Sequence, residues 1–152
     1  MNTILKVNNI TKTYNKGQQP SLDKVSFNVS EGEFIGIMGA SGSGKTTLLN
    51  VLSTIDKPTS GDIFINNINL KSLNDTCAAD FRKDNLGFIF QEYFLLDSLT
   101  IFENISVPLT LQKLNPDKIE NMVKSIAERF DIASQLNKYP NELSGGQRQR
   151  AS

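Results

Sequence analysis

The sequence contains no histidine and a single cysteine, Cys77. Without histidine there is no imidazole to act as metal ligand, general base or nucleophile. One cysteine excludes an internal disulfide framework and fits a reducing compartment. Net charge is also missing, because 16 Lys and Arg balance 16 Asp and Glu. That balance argues against the basic surface of a nucleic-acid binder, so no nucleic-acid partner is expected. No uncharged stretch of the sequence approaches the roughly 20 residues that span a bilayer. The opening Met1–Lys6 does not lead a basic segment into an apolar one, so a secretory leader is not expected. The location expected is cytoplasmic, with any membrane attachment made through a partner. There is no internal repeat and no low-complexity segment.

What is present fits a soluble globular domain: 152 residues, 38% hydrophobic and 21% charged. Ile4 to Tyr14 reads as a strand running into a polar turn. Val25, Phe27 and Val29 alternate with Ser26, Asn28 and Ser30, the period of a half-buried antiparallel strand. Phe34–Met38 and Leu86–Phe90 are short unbroken apolar runs, as expected of central parallel strands covered on both faces. Lys45 to Ile55 predicts a helix with a broad apolar face. Ile63–Ile65 predicts a further strand, and Leu73–Lys83 a short helix.

After Gln91 the pattern turns helical. Thr100 and Glu103 form a capping box, and Asn115 with Pro116 marks a second helix start. Ile119, Met122, Val123, Ile126 and Phe130 then fall on one helical face. The reading is therefore a mixed α/β core over residues 1–91, a helical subdomain over 92–143, and the start of another helix over 144–152.

Gly39-Ala40-Ser41-Gly42-Ser43-Gly44-Lys45-Thr46 fits G-x-x-x-x-G-K-[ST] at every fixed position. Glycines let the backbone curl so that successive N–H groups face phosphate oxygens. The helix that follows aims its positive end at the same anion. Lys45 supplies a full charge to the β- and γ-phosphates, and the Thr46 hydroxyl a ligand for Mg²⁺; Thr47 completes the set. Alone, this loop implies only a nucleoside triphosphate with Mg²⁺.

Leu143-Ser144-Gly145-Gly146-Gln147 is a second glycine motif. Ser144 and Gln147 make another capping box, yet two glycines in a first turn cost helix stability. Their use is to bare N–H groups to a close ligand, a second anion site.

With both motifs in this order, the chain resembles the ATP-binding subunits of ABC transporters along essentially its whole length. Leu143–Gln147 reproduces that family's signature without substitution. The resemblance implies a P-loop NTPase fold with an N-terminal antiparallel β part and an inserted helical subdomain, incomplete at the C-terminus. It implies ATP and Mg²⁺ as ligands. It matches Tyr14 to the aromatic that stacks on adenine, although an edge-strand tyrosine is the alternative. It matches Gln91 to the glutamine that contacts Mg²⁺ and the attacking water, although spacing alone favours a polar strand end. Lys45 and Gln91 are thus the expected catalytic residues, and Thr46 and Gln91 the expected metal ligands. The signature residues would act on ATP held by a second copy in a head-to-tail dimer.

Glu92–Leu99 resembles the region that meets a membrane permease, with burial of Tyr93, Phe94, Leu95 and Leu96 in the helical subdomain as the alternative. Residues 53–61 and 139–150 resemble the branch serving lipoprotein release, macrolide export and bacitracin-type resistance, the antimicrobial-peptide exporters above all. The family pattern continues with a Walker B aspartate, a catalytic glutamate, a D-loop and a switch histidine, which this sequence lacks. A piece of a longer ATPase is therefore expected, binding ATP weakly and hydrolysing it negligibly by itself. Two other readings stay open: a non-transport ABC-type ATPase of translation or DNA repair, and a catalytically dead nucleotide-binding module.

Overall fold

The structure, a computed structural model, describes residues 2–15, 17, 19–90 and 92–152. It consists of two compact units, Met1–Leu86 and Gly87–Ser152.

In the first unit, β1 (Thr3–Lys12), β2 (Leu22–Ser30), β3 (Ser60–Ile65) and β4 (Ile68–Asn69) form one antiparallel sheet in the order β2-β1-β3-β4. Helices α1 (Lys45–Leu52) and α2 (Asp75–Asn85) accompany it. Strict alternation along β1 would put Val7 and Ile10 on opposite faces. Both are buried, because the register against β2 slips between them and resets the alternation. Asn9 sits at that slip with φ 46°, and its N–H donates to Ser26 Oγ at 2.7 Å. Gly61 answers it from β3: a Cβ there would lie 2.5 Å from the Asn9 carbonyl oxygen. The core joins Val7, Ile10 and Ile63 of the sheet to Leu48 and Val51 of α1 and Phe81 of α2.

Helix α1 begins where the sequence predicts but stops at Leu52, three residues short of Ile55. Thr54 turns left-handed with φ 61°. Arg82 Nη1 fixes that turn, donating to the Thr54 carbonyl at 3.1 Å and to its hydroxyl at 3.0 Å. Ile55 lies beyond the helix end and is exposed, as is Leu49 within it.

The two expected parallel strands are a correction. Residues 33–40 and 86–90 carry no regular secondary structure. Phe34 is 96% and Met38 92% exposed, and Ile89 is 85% exposed. An apolar run reports how a strand would be covered, but its amides also need partners on a neighbouring strand. Among the described residues no strand pairs with either run.

In the second unit the helices are α3 (Ile101–Leu111), α4 (Pro116–Arg129) and α5 (Gly145–Ala151). Both expected starts form. Thr100 Oγ1 accepts from Glu103 N at 3.2 Å, while the Thr100 N–H donates to Glu103 Oε2 at 2.7 Å. The Thr100 backbone N–H, and then its hydroxyl, hold the Glu103 carboxyl below its ordinary pKa. Asn115 Oδ1 accepts from Asp117 N at 2.9 Å, with Pro116 in the first turn of α4.

The apolar face of α4 divides. Ile119 and Val123 are buried together with Ala127, whereas Met122, Ile126 and Phe130 remain exposed. The buried ridge follows the four-residue spacing that packs against a neighbouring helix, and the three-residue neighbours fall beside it. The core of this unit gathers Ile101, Val123, Ala127, Ile132, Leu143 and Ala151.

Candidate functional site

The phosphate-loop motif lies in the first unit as an exposed, irregular segment that runs directly into α1. Gly42 and Gly44 take φ values of +79° and +90°, the region only glycine enters without strain. At Gly44 space is short as well. A Cβ would stand 2.3 Å from the Ser21 carbonyl oxygen and 3.2 Å from Leu22 Cδ2. Gly44 is also the N-cap of α1 and brings no side chain to accept the first-turn amides. The first turn holds no acidic residue either. This helix start thus carries the positive end of the helix dipole without any side-chain anion of its own.

Lys45 lies across the loop. Its Nζ donates to the carbonyl oxygens of Gly39 and Ala40, both at 2.8 Å, with Ser43 Oγ at 3.5 Å. The Ser43 N–H closes the turn onto the Ala40 carbonyl at 3.2 Å. Ser41 and Thr46 are exposed and Thr47 is half-buried. The structure therefore gathers Gly39, Ala40, Ser43 and Lys45 into one hydrogen-bonded loop.

Tyr14, just beyond β1, is 57% exposed, and Lys12 Nζ sits 4.8 Å from its ring centroid. Lys12 in turn meets Asp56 Oδ1 at 2.5 Å and the Lys57 carbonyl oxygen at 2.8 Å. Burial raises the Asp56 carboxyl, but the Lys12 ammonium, the Lys57 backbone N–H and the Tyr14 hydroxyl outweigh it and lower its pKa. Sequence reasoning passed over Lys12 and Asp56. Lys12 was detectable only as a cation two positions before the aromatic, and Asp56 not at all.

Gln91 lies outside the described residues. Immediately after it, Tyr93 and Phe94 take consecutive positive φ values of 62° and 49°. Of Tyr93, Phe94, Leu95 and Leu96, Leu95 packs onto the core of the second unit, Tyr93 is half-buried, and Phe94 and Leu96 are exposed. Asn104 fixes the segment that follows, accepting from Leu96 N at 2.7 Å and donating to the carbonyls of Leu96, Leu99 and Thr100.

The signature motif starts α5 in the second unit. Its capping box forms, with Gln147 N to Ser144 Oγ at 3.3 Å and Ser144 N to Gln147 Oε1 at 2.9 Å. Leu143 is buried in the core. A Cβ on Gly146 would meet no atom within 4 Å, and one on Gly145 only the Tyr93 hydroxyl, at 3.5 Å. The Arg148 guanidinium lies over the Tyr93 ring, 5.7 Å from its centroid.

Among the described residues no three His, Cys, Asp or Glu side chains cluster as metal ligands. No described helix is long and apolar enough to cross a membrane.

Comparison with known proteins bears on this geometry. The family model described as ABC transporter matches residues 22–152. The ABC transporter ATP-binding protein YxdL of Bacillus subtilis is 53% identical over 154 residues, covering 100% of this chain and 60% of that protein. The bacitracin export ATP-binding protein BceA of Halalkalibacterium halodurans is 50% identical, covering 98% of this chain and 60% of its own length. A dimeric structure of the ATP-binding cassette MJ0796 of Methanocaldococcus jannaschii, in a post-hydrolysis state bound to ADP and Pi, superposes with a TM-score of 0.89 at 38% identity. That match covers 97% of this chain and 66% of the other. The chain thus spans 60% of the length of the first two relatives.

Proposed function

The chain belongs to the ABC transporter family, and on that premise we propose that it is the nucleotide-binding part of an ATPase subunit that powers export through a separate membrane permease. The observation that carries this reading is the phosphate loop: a glycine-built curl opening an uncapped helix, with Lys45 laid across it. Every donor there suits a triphosphate. The first-turn N–H groups of α1 are donors for one anion, the Lys45 ammonium would exchange the Gly39 and Ala40 carbonyls for its oxygens, and the glycines at 42 and 44 let the backbone curl around it.

Mg²⁺ fits the same place on the chemistry of the donor set. A hard cation would be held by the Thr46 hydroxyl, exposed in the first turn of α1, together with phosphate oxygens. Its contribution is charge neutralisation on the phosphates. Gln91 is assigned to the metal and the attacking water, and Tyr14 to the base.

The signature acts on a second copy of the subunit. Glycine in a first helical turn costs about 1 kcal/mol relative to alanine. Among the described residues nothing outside the helix crowds position 146, so a need for glycine there would come from outside, as it would if Ser144, Gly145, Gly146 and Gln147 met the partner's γ-phosphate. ATP binding would then close two subunits and hydrolysis reopen them. Antimicrobial peptides of the bacitracin class are the proposed cargo, from the name of one relative. The subunit would work at the inner face of the membrane, held there by the permease. A Walker B aspartate and a catalytic glutamate are not among its residues, so the 152-residue chain should bind ATP at most weakly and turn it over negligibly.

Lys45→Ala tests the carrying observation. Losing a charged donor to the phosphates should weaken ATP about ten- to hundredfold in a fluorescent-nucleotide titration. Undiminished affinity in that variant would place the triphosphate elsewhere and overturn the proposal.

A further inference from the structure

One ammonium at the end of β1 makes two hydrogen bonds and one contact with an aromatic face. Lys12 Nζ contacts the Asp56 carboxylate at 2.5 Å, the Lys57 carbonyl at 2.8 Å and the Tyr14 ring at 4.8 Å. Its side chain is only 12% exposed. A Lys has three N–H donors; two of them go to oxygens here, and with its side chain largely buried the ammonium does not face open solvent. It is turned toward an aromatic face instead, where a partly desolvated ammonium is attracted by the ring quadrupole.

The surroundings brace it from two sides. The Asp56 N–H donates to the Asn50 carbonyl at 3.0 Å, which ties the carboxylate to α1, the helix that begins at Lys45. On the other side, Thr59 N donates to the Thr11 carbonyl at 2.8 Å, and Thr13 N donates to Thr59 Oγ1 at 3.0 Å. The chain leading into Tyr14 is therefore stapled to residue 59, and the ring is seated on an ion pair anchored through α1.

An exposed tyrosine without support samples several rotamers and must be ordered before anything can stack on it. With a cation under one face, Tyr14 offers only the other. We propose that Lys12, braced by Asp56, is a positioning residue for nucleobase recognition, holding the Tyr14 ring so that its outer face receives a purine. This rests on the assignment of Tyr14 to the base made above. It adds that this brace for the base is anchored on α1, through the Asp56 N–H and the Asn50 carbonyl.

Tripolyphosphate separates the two halves of the site, since it carries the phosphates without a base. Calorimetric titrations of the 152-residue chain with ATP and with tripolyphosphate, both with Mg²⁺, would compare wild type, Lys12→Met, Tyr14→Leu and the double variant. Lys12→Met is expected to weaken ATP about three- to fivefold and to leave tripolyphosphate affinity unchanged. In the Tyr14→Leu background it should add nothing further, because its effect passes through the ring. Equal weakening of both ligands would make the pair a brace for the fold and overturn the inference. So would unchanged ATP affinity, or a loss that adds to that of Tyr14→Leu. Tyr14→Leu without effect on ATP would sink the base assignment while sparing the phosphate loop. Wild-type chain binding neither ligand would overturn the reading of the whole site, and this inference with it.

Discussion

The two glycine-rich helix starts look alike in the sequence and differ in what holds them. At α1 the N-cap is a glycine with no side chain to offer, and the chain itself dictates that glycine: φ is +90°, and a Cβ would collide with the Ser21 carbonyl. At α5 the N-cap is Ser144 in a complete capping box, a buried Leu143 precedes it, and Gly146 faces open space. The first start leaves its first-turn amides without a side-chain cap. The second caps itself and leaves a gap in its side-chain cover. Glycine therefore answers an internal demand in one place and, on the proposed function, an external one in the other, a distinction that composition does not carry.

Gly44→Ala attacks the internal demand and should have the largest effect. The new methyl meets backbone, which cannot swing aside, in a conformation L residues avoid. The first unit should lose about 3 kcal/mol or more, read as a drop in the urea midpoint, with nucleotide binding lost alongside. A change within about 0.5 kcal/mol, the range of an ordinary surface substitution, would erase the contrast drawn between the two motifs.

Much of this contrast was legible in the residues, and the reasons are local. The phosphate loop and the boxes at Thr100 and Ser144 are each written in eight residues or fewer, and short-range chemistry decides them. Strands are another matter. Phe34–Met38 and Leu86–Phe90 read as buried strands, and that reading concerns coverage; pairing depends on other segments, and among the described residues none supplies it. Long-range partners were equally hidden. Nothing in the spacing announces that Lys12 reaches Asp56, 44 positions away, or that Asn104 holds three carbonyls of the preceding turn. The apolar face of α4 was visible, but which half of it is buried depends on the packing of its neighbours.

Ser144→Ala sharpens the comparison from the capped side. It removes the acceptor of the Gln147 N–H and should destabilise the second unit by about 1 kcal/mol, measured by chemical denaturation. Nucleotide affinity at the phosphate loop should not move, since that loop belongs to the first unit. A coupled loss of ATP affinity would mean that the two starts are not independent.

Gly146→Ala carries the smallest effect on the fold and the sharpest test of the external demand. Alanine is the better helix former by about 1 kcal/mol, and a Cβ here meets nothing. The variant should be as stable as the parent or slightly more so, and should bind ATP as tightly. What it should lose is association: in the intact subunit, light scattering with ATP should show dimers for the parent and monomers for the variant, because the added methyl occupies space that the partner's γ-phosphate needs. Dimerisation at parental strength would leave the glycine without a purpose outside the chain, and the capped helix start would then be only a helix start.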